Sequence, residues 1–257
     1  LTAYRADPVI NLTISALIVV GGIGFLTWDD VRTNRLHFHR YRLQSKVILT
    51  ATALLILLPT LYFFCFEFKG GTLRERLLLS LFQSVTPRTA GFNTADYTSL
   101  SSSGRGLTIL LMFIGGSPGS TAGGIKTTTA AVLVANAFAV FRRQKNPEMF
   151  GRRMEEKAVY DAAAIFTLYL VLSLTGAFVI STVEGLPLSE CLFETTSAIA
   201  TVGLSLGLTP HLGIVSQGIL IFLMFIGRVG GLTMIYAALS GSKSSAARLP
   251  QERITVG

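Results

Sequence analysis

Charged residues are scarce in this 257-residue chain, making up 14% of it against about a quarter of a soluble domain. The formal net charge is nevertheless +8, which raises the question of a nucleic-acid-binding surface. The bases lie in short clusters between long uncharged runs, so they form no continuous basic face and predict no nucleic-acid partner. The two cysteines and three histidines have no metal-ligand spacing, which argues against a zinc site. Both cysteines, Cys65 and Cys191, lie in apolar or near-membrane sequence and are expected to be buried.

Five uncharged or nearly uncharged runs predict an integral membrane protein. Each is about 20 residues or longer, the length of a helix that crosses a bilayer. One soluble domain of this size cannot bury all five, so we expect a multi-pass protein of the cell membrane, surrounded by the lipid bilayer. The first run lacks the basic region and small-residue cleavage site of a signal peptide. The runs are 9–28, 47–66, 106–125, 162–183 and 212–242, the last interrupted only by Arg228.

Lysine and arginine between the runs predict the orientation. Segments 32–46 and 142–157 are rich in bases, as is the tail after residue 242, so the positive-inside rule places all three in the cytoplasm. Segment 184–211 has acidic residues but no lysine or arginine, and is expected outside. Segment 67–105 must then also lie outside, although it has five bases, because successive spans alternate. The chain is predicted to cross five times and to end in the cytoplasm.

A repeat with a period of 112 residues runs through the chain. The sequence LMFIG at 111–115 recurs at 223–227, and the Thr-x-Gly segment at 89–92 recurs in the same order at 201–204. The apolar segment upstream of each Thr-x-Gly repeats with an offset of 111, so one residue has been inserted between them. Each unit is therefore predicted to be a helix, a short apolar segment, a Gly-containing turn and a second helix.

The short apolar segments, 73–86 and 188–200, are too short to cross a bilayer. We expect all-α architecture in which they are re-entrant pore helices that descend from outside, each followed by an extended returning loop. Non-helical backbone at this depth is stable only where protein or a water-filled cavity satisfies it. The loops are therefore expected to line a water-filled pathway.

Backbone carbonyls of such loops can replace the hydration shell of a monovalent cation. Thr201-Val202-Gly203 resembles the start of a potassium-channel filter, and glycine at the turn reaches backbone angles closed to other residues. Potassium is thus predicted to be a substrate bound through backbone carbonyls, with no cofactor in this chain. The predicted filter residues are Thr89, Ala90, Gly91, Phe92, Thr201, Val202, Gly203 and Leu204.

A glycine-rich stretch, Gly115–Gly124, interrupts the third run with five glycines and a proline. Glycine and proline oppose a continuous helix, so the run is expected to break into two halves around a small-residue loop. Lys126 follows the stretch, and Arg228 lies 112 residues after Gly116. Lys126 could instead extend toward the cytoplasmic surface, and Arg228 could belong to a structural pair or repel cations from the pore.

Three segments resemble the Trk/Ktr/HKT superfamily of potassium transporters, most closely its bacterial Ktr-type membrane subunit. They are FQSVTPRTAGFNT at 82–94, GGSPGSTAGGIKTTT at 115–129 and GRVGGLT at 227–233, the last also similar to GGIGFLT at 21–27. The resemblance implies four helix–pore helix–helix repeats around one pseudo-fourfold pore, a homodimer of membrane subunits, and a cytoplasmic ring of nucleotide-binding, RCK-type regulatory subunits. It also implies a gate beneath the filter, formed here by Gly115, Gly116, Ser117, Gly119, Ser120, Gly123, Gly124, Lys126 and Arg228.

This pattern divides the chain into parts of a longer subunit. Residues 1–31 correspond to the last helix of the second repeat, 46–142 to the third repeat, 158–240 to the fourth, and 241–257 to a cytoplasmic tail. Because the first two filter loops are not in this sequence, we expect a C-terminal fragment of a transporter subunit.

The sequence is also compatible with two other functions. A Na⁺-coupled or Na⁺-selective carrier of the same superfamily is compatible with the same motifs, although carriers with broken helices are expected to have inverted repeats. An intramembrane serine hydrolase would use Ser117 or Ser120 as its nucleophile and needs a general base. Its only candidate base, His211, is expected on the outer side, away from both serines. The sequence therefore favours a transporter over an enzyme.

Overall fold

The computed structural model describes residues 1–35, 37–144 and 146–230. The expected tail at 241–257 and the end of the fifth run lie outside these residues. The predicted all-α class is confirmed. The helices are α1 (Pro8–Ile23), α2 (Phe25–Asn34), α3 (Leu43–Tyr62), α4 (Leu73–Val85), α5 (Ser102–Phe113), α6 (Thr127–Phe141), α7 (Glu156–Glu184), α8 (Leu188–Ile199) and α9 (Ile214–Val229).

Short elements join these helices. A π-turn, Phe63–Glu67, extends α3, and single 3-10 turns precede α1, α3, α5 and α9. Between α6 and α7, the strands β1 (Glu148–Met149) and β2 (Arg152–Arg153) form an antiparallel hairpin. Its two turn residues, Phe150 and Gly151, have φ of 51° and 71°, the left-handed conformation of a two-residue hairpin turn.

Two continuous helical stretches, Leu43–Glu67 and Glu156–Glu184, are long and apolar enough to span a membrane. Leu57, Leu58 and Leu61 on the first are each more than 60% exposed, as expected for a face that lipid covers. Cys65 is also exposed on this stretch, so its expected burial is wrong, whereas Cys191 is buried as expected.

The first uncharged run is not the single helix that was expected for residues 1–31. It bends by 94° between α1 and α2. The bend is at Gly24, which has φ of 90°, and a Cβ there would lie 2.5 Å from the carbonyl oxygen of Pro118. A side chain is excluded for both reasons, and glycine lets the helix end and turn. Gly230 ends α9 with nearly the same angles, φ 90° and ψ 132° against 90° and 146° at Gly24.

The two pore helices, α4 and α8, have 13 and 12 residues and lie where they were predicted. The fourth helix packs against α3 and α1, and the eighth packs against α7, α9 and α5. Every residue from Phe193 to Ala200 is buried. The C-terminal ends of both short helices are thus buried among other helices, which leaves the segments that follow them inside the bundle.

Candidate cation-conducting site

The two Thr-x-Gly loops have the same backbone conformation. Thr89 and Thr201 have φ of 64° and 55°, and Gly91 and Gly203 have φ of 73° and 88°. A left-handed conformation is a genuine outlier for a β-branched residue such as threonine. Strain of this kind clusters at functional sites, and here it occurs at equivalent positions of both repeats.

The ends of the pore helices accept hydrogen bonds from some of the amide groups of these loops. In the third repeat, Ala90 N donates to Thr86 O at 3.2 Å; in the fourth, Val202 N donates to Ser197 O at 2.9 Å. Within the described part of the chain, no hydrogen bond reaches the carbonyl oxygens of Thr89–Gly91 or Thr201–Leu204. The carbonyl of Phe92 differs, because it accepts a hydrogen bond from the Thr86 hydroxyl. Most of the predicted filter carbonyls are therefore free to bind a ligand.

The inserted residue of the fourth repeat lies between Thr195 and Thr201, around the C-terminal end of the pore helix. Five residues separate Thr195 from Thr201, against four between the equivalent Ser84 and Thr89. In the third repeat, Pro87 lacks an amide hydrogen and α4 stops at Val85. In the fourth repeat, the pore helix continues to Ile199.

The two loops contact each other. A Cβ on Gly91 would overlap the carbonyl oxygen of Val202, whereas a Cβ on Gly203 would have only the Cα of Gly91 within reach, at 4.0 Å. Gly91 is therefore required by both its conformation and its neighbours, and Gly203 by its conformation alone.

The glycine-rich stretch breaks the second helix of its repeat as predicted, between α5 and α6. The break is structured: Ile114 and Ile125 form a parallel bridge, Gly115 N donates to Ile125 O at 2.8 Å, and Thr127 N donates to Gly116 O at 3.0 Å. The hydroxyls of Ser117 and Thr127 are 2.9 Å apart. We call residues 114–126 the glycine loop.

The glycine loop lies directly against both Thr-x-Gly loops. A Cβ on Gly115 would be 3.2 Å from Cγ2 of Thr89, and one on Gly123 would overlap the side chain of Thr201. In the fourth repeat, the equivalent of Gly115 is Gly227, where a Cβ would be 3.1 Å from Cγ2 of Thr201. Small residues are therefore needed wherever a second helix or the glycine loop passes Thr89 or Thr201 of the predicted filter loops.

The ends of two helices hold the glycine loop from opposite sides. At the end of α1, Ser117 N donates to Gly22 O at 2.9 Å and Phe25 N donates to Gly119 O at 3.2 Å. Near the end of α9, Arg228 Nη1 donates to the carbonyl of Thr121 at 3.1 Å. Lys126 Nζ donates to a second loop carbonyl, that of Ala122, at 2.7 Å. Both cations line one cavity of about 470 Å³.

The serine hydrolase hypothesis finds no support in these contacts. The hydroxyl of Ser117 is engaged with Thr127, and that of Ser120 accepts from the amide of Ala122 at 3.4 Å. The candidate base, His211, belongs to the 3-10 turn Thr209–His211, and no hydrogen bond joins it to either serine in the described part of the chain.

Several residues near the site were not singled out from the sequence. Arg88, beside the filter threonine, is 4% exposed and donates to the Thr52 hydroxyl at 3.3 Å. Glu194, on the second pore helix, is equally buried. The signal that could have indicated both is a charged residue within a segment predicted to lie in the membrane, which is costly unless it is paired.

Comparisons with known proteins agree with this geometry. A family model described as "TrkH: Cation transport protein" matches residues 1–246. The potassium/sodium uptake protein NtpJ of Enterococcus hirae is 40% identical, and the Ktr system potassium uptake protein B of Bacillus subtilis is 38% identical. Both matches cover 100% of this chain, which spans 59% of each relative.

A solved structure has the same fold. The potassium transporter TrkH from Vibrio parahaemolyticus matches with a TM-score of 0.73 over 89% of this chain and 51% of its own, at 19% identity. The resemblance inferred from the motifs is confirmed, and the family consists of cation transporters, not enzymes. With its two Thr-x-Gly loops and its interrupted second helix, the chain belongs to the TrkH family of cation transport proteins.

Proposed function

We propose that the subunit containing this chain takes up potassium ions across the cell membrane, with Thr89–Phe92 and Thr201–Leu204 as two of its filter loops. The observation that carries the proposal is the conformation shared by both loops, which meet in the bundle with free carbonyl oxygens. Such oxygens can substitute for the water around a potassium ion. The C-terminal ends of α4 and α8 lead into the loops, and the negative end of a helix dipole favours a cation.

The glycine loop serves as the gate in this proposal. It lies beneath both filter threonines and has few side chains, so little packing is lost when it moves. Arg228 and Lys126 bond its carbonyls and place two positive charges next to the ion path. They would repel a cation while the loop blocks the pore.

The organisation of the whole subunit follows the same pattern. We place the third repeat at 46–142 and the fourth at 158–240, with 1–31 belonging to the second repeat and 241–257 forming a cytoplasmic tail. The membrane subunits form a homodimer on a cytoplasmic ring of RCK-type nucleotide-binding subunits. The relatives named as Ktr-system proteins support an assembly of more than one kind of subunit.

A sodium-transporting function is the second candidate. The name of the Enterococcus hirae relative includes both potassium and sodium. The two filter loops of this chain fit either ion, because both loops supply only backbone carbonyls.

Separate K⁺ and Na⁺ uptake by the whole subunit in proteoliposomes tests the proposal. We expect K⁺ uptake to exceed Na⁺ uptake, and Gly91→Ser to reduce that preference. Gly70→Ser is the matched control, since a Cβ at this outer glycine meets nothing within 4 Å. Uptake of neither ion by a folded, correctly inserted protein would overturn cation transport; preferred Na⁺ uptake would favour the second candidate.

A further inference from the structure

A buried carboxylate, Glu194, lies in the second pore helix, six residues before its C-cap at Ala200. It is 4% exposed, and no lysine, arginine or histidine in the described residues lies within ion-pair distance of it. A buried carboxylate is strongly destabilising unless hydrogen bonds or a counter-charge compensate for its lost hydration. Its hydrogen bonds therefore have to provide the compensation.

Within the described residues, the hydrogen bonds to the Glu194 carboxylate all come from the chain that follows the predicted filter loop. Its Oε1 accepts from the Leu206 amide and from the Ser205 hydroxyl, both at 2.8 Å. Its Oε2 accepts from the Thr209 hydroxyl at 2.7 Å. Three donors match the acceptor-only chemistry of an ionised carboxylate, and such charge-assisted bonds are stronger than neutral ones.

The same network extends through the returning chain. The Ser205 hydroxyl donates to Glu194 and accepts from the Gly207 amide at 2.8 Å, which closes the turn after the filter. Gly207 has φ of 88°, so this turn has a fixed left-handed geometry. One side chain thus fixes the backbone beginning one residue after Leu204, the last predicted filter residue.

The third repeat lacks this arrangement. The residue equivalent to Glu194 is Gln83, which is neutral and fully buried. The Tyr97 side chain, equivalent to Thr209, is buried and interacts with Gln83. Within the described residues, however, no hydrogen bond joins Gln83 to residues 93–96, the segment equivalent to 205–208. The third-repeat loop is held instead by the bond from the Thr86 hydroxyl to the Phe92 carbonyl. Of the two repeats in the described residues, only the fourth therefore has the carboxylate tether.

We propose that Glu194 is a positioning residue for the fourth-repeat filter loop and a determinant of its selectivity among monovalent cations. This inference rests on the proposed function. By fixing Ser205 and Leu206, the carboxylate keeps the carbonyls of Thr201–Leu204 from collapsing onto a smaller ion. Loss of the tether lets the loop relax, so discrimination between K⁺ and Na⁺ falls while the pore still conducts.

The test is the K⁺/Na⁺ uptake ratio of the whole subunit in proteoliposomes. Glu194→Gln keeps the size of the side chain, removes its charge and leaves only one oxygen to accept hydrogen bonds. We expect this variant to lower the ratio by about tenfold, the effect of losing about 1.4 kcal/mol of discrimination. Glu190→Gln on the same helix is the matched control, because Glu190 is 30% exposed and faces Arg105 at 4.0 Å. It is expected to keep the wild-type ratio.

Two further variants keep the proposal falsifiable if Glu194→Gln does not fold. Ser205→Ala and Thr209→Val each remove one donor and leave the carboxylate in place, and each should lower the ratio by less than Glu194→Gln. The proposal would be overturned if folded Glu194→Gln, Ser205→Ala and Thr209→Val variants kept the wild-type K⁺/Na⁺ uptake ratio. It would also be overturned if Glu190→Gln lowered the ratio as much as Glu194→Gln. Failure of the proposed function is a separate result, visible as a wild-type protein that does not prefer K⁺.

Discussion

Gly91 and Gly203 occupy equivalent positions in the two filter loops but face different constraints. Both have positive φ, where an ordinary residue costs about 1–2 kcal/mol. Only Gly91 also lies where a Cβ would overlap a backbone carbonyl of the other loop. A side chain at Gly91 therefore has to move the other filter loop, whereas a side chain at Gly203 strains only its own backbone.

Serine at the two glycines should have unequal effects. We expect Gly91→Ser to lower K⁺ over Na⁺ selectivity and the melting temperature more than Gly203→Ser, because it must also push the loops apart. Selectivity from paired uptake assays and thermal unfolding in detergent measure the difference. Equal effects at the two positions would contradict the contact between Gly91 and Val202.

The sequence predicts some residues of the site better than others. Thr89 and Thr201 could be identified because their loops repeat after 112 residues, a signal independent of tertiary contacts. The role of Glu194 could not, because its donors lie 11 to 15 residues away and nothing local indicates that they approach it. The hydrogen bond from Thr86 to the Phe92 carbonyl is equally invisible in the sequence.

At the scale of elements, the glycine loop depends on the helix ends that hold it. Deleting residues 117–123 removes its bonds to Gly22 and Arg228, and should raise basal K⁺ flux and weaken control by the cytoplasmic partner. Arg228→Ala should act in the same direction, since it removes both a loop contact and a repelling charge. Arg152→Ala, in the exposed hairpin, is the control. If K⁺ flux stayed low and regulator-dependent after the deletion, the loop would be a structural connection between helices and not a gate.

A carboxylate clamps the start of the second helix in each repeat. Glu67 accepts from both the amide and the hydroxyl of Ser101, at the N-cap of α5, using its two oxygens separately. Glu184 accepts from the Gly213 amide at 2.9 Å and the Ser216 hydroxyl at 2.5 Å, both on Oε1. A negative charge at a helix N-terminus is also favourable to the helix dipole.

These clamps predict different responses to glutamine. Glu184→Gln retains an oxygen that can accept both bonds, whereas Glu67→Gln loses one acceptor, so the melting temperature should fall more for the Glu67 variant. Alanine at either position should lower it further. Thermal unfolding of the purified subunit is the measurement, and a larger loss for Glu184→Gln would contradict the assigned contacts.

Element boundaries were predictable where composition changes and not where it is uniform. The pore helices stand out because they are short, apolar and followed by polar sequence. The bend at Gly24 falls inside an uncharged run, four residues before its end at Trp28, so the charge pattern does not mark it. One reason that glycine is required there is the carbonyl of Pro118, 94 residues further along the chain, and a contact of that kind has no local sequence pattern.

At the scale of the molecule, orientation can be tested with introduced cysteines. In a Cys65→Ser background, Gly70→Cys should react with a membrane-impermeant maleimide added outside, and Arg152→Cys should react only after the membrane is opened. The buried Cys191 should stay unlabelled in intact protein. Labelling of Arg152→Cys from outside would invert the proposed topology.

The additional residue before Thr201 indicates how the ion path of this protein can evolve. In a channel built from four identical chains, one substitution alters every wall of the ion path at once. Here the two copies have already diverged, with an additional residue and a carboxylate in one, and a proline and a glutamine in the other. A mutation in one copy changes one wall and leaves the other intact. Duplication within a single gene therefore allows the ion path to be altered in smaller steps than a symmetric tetramer permits.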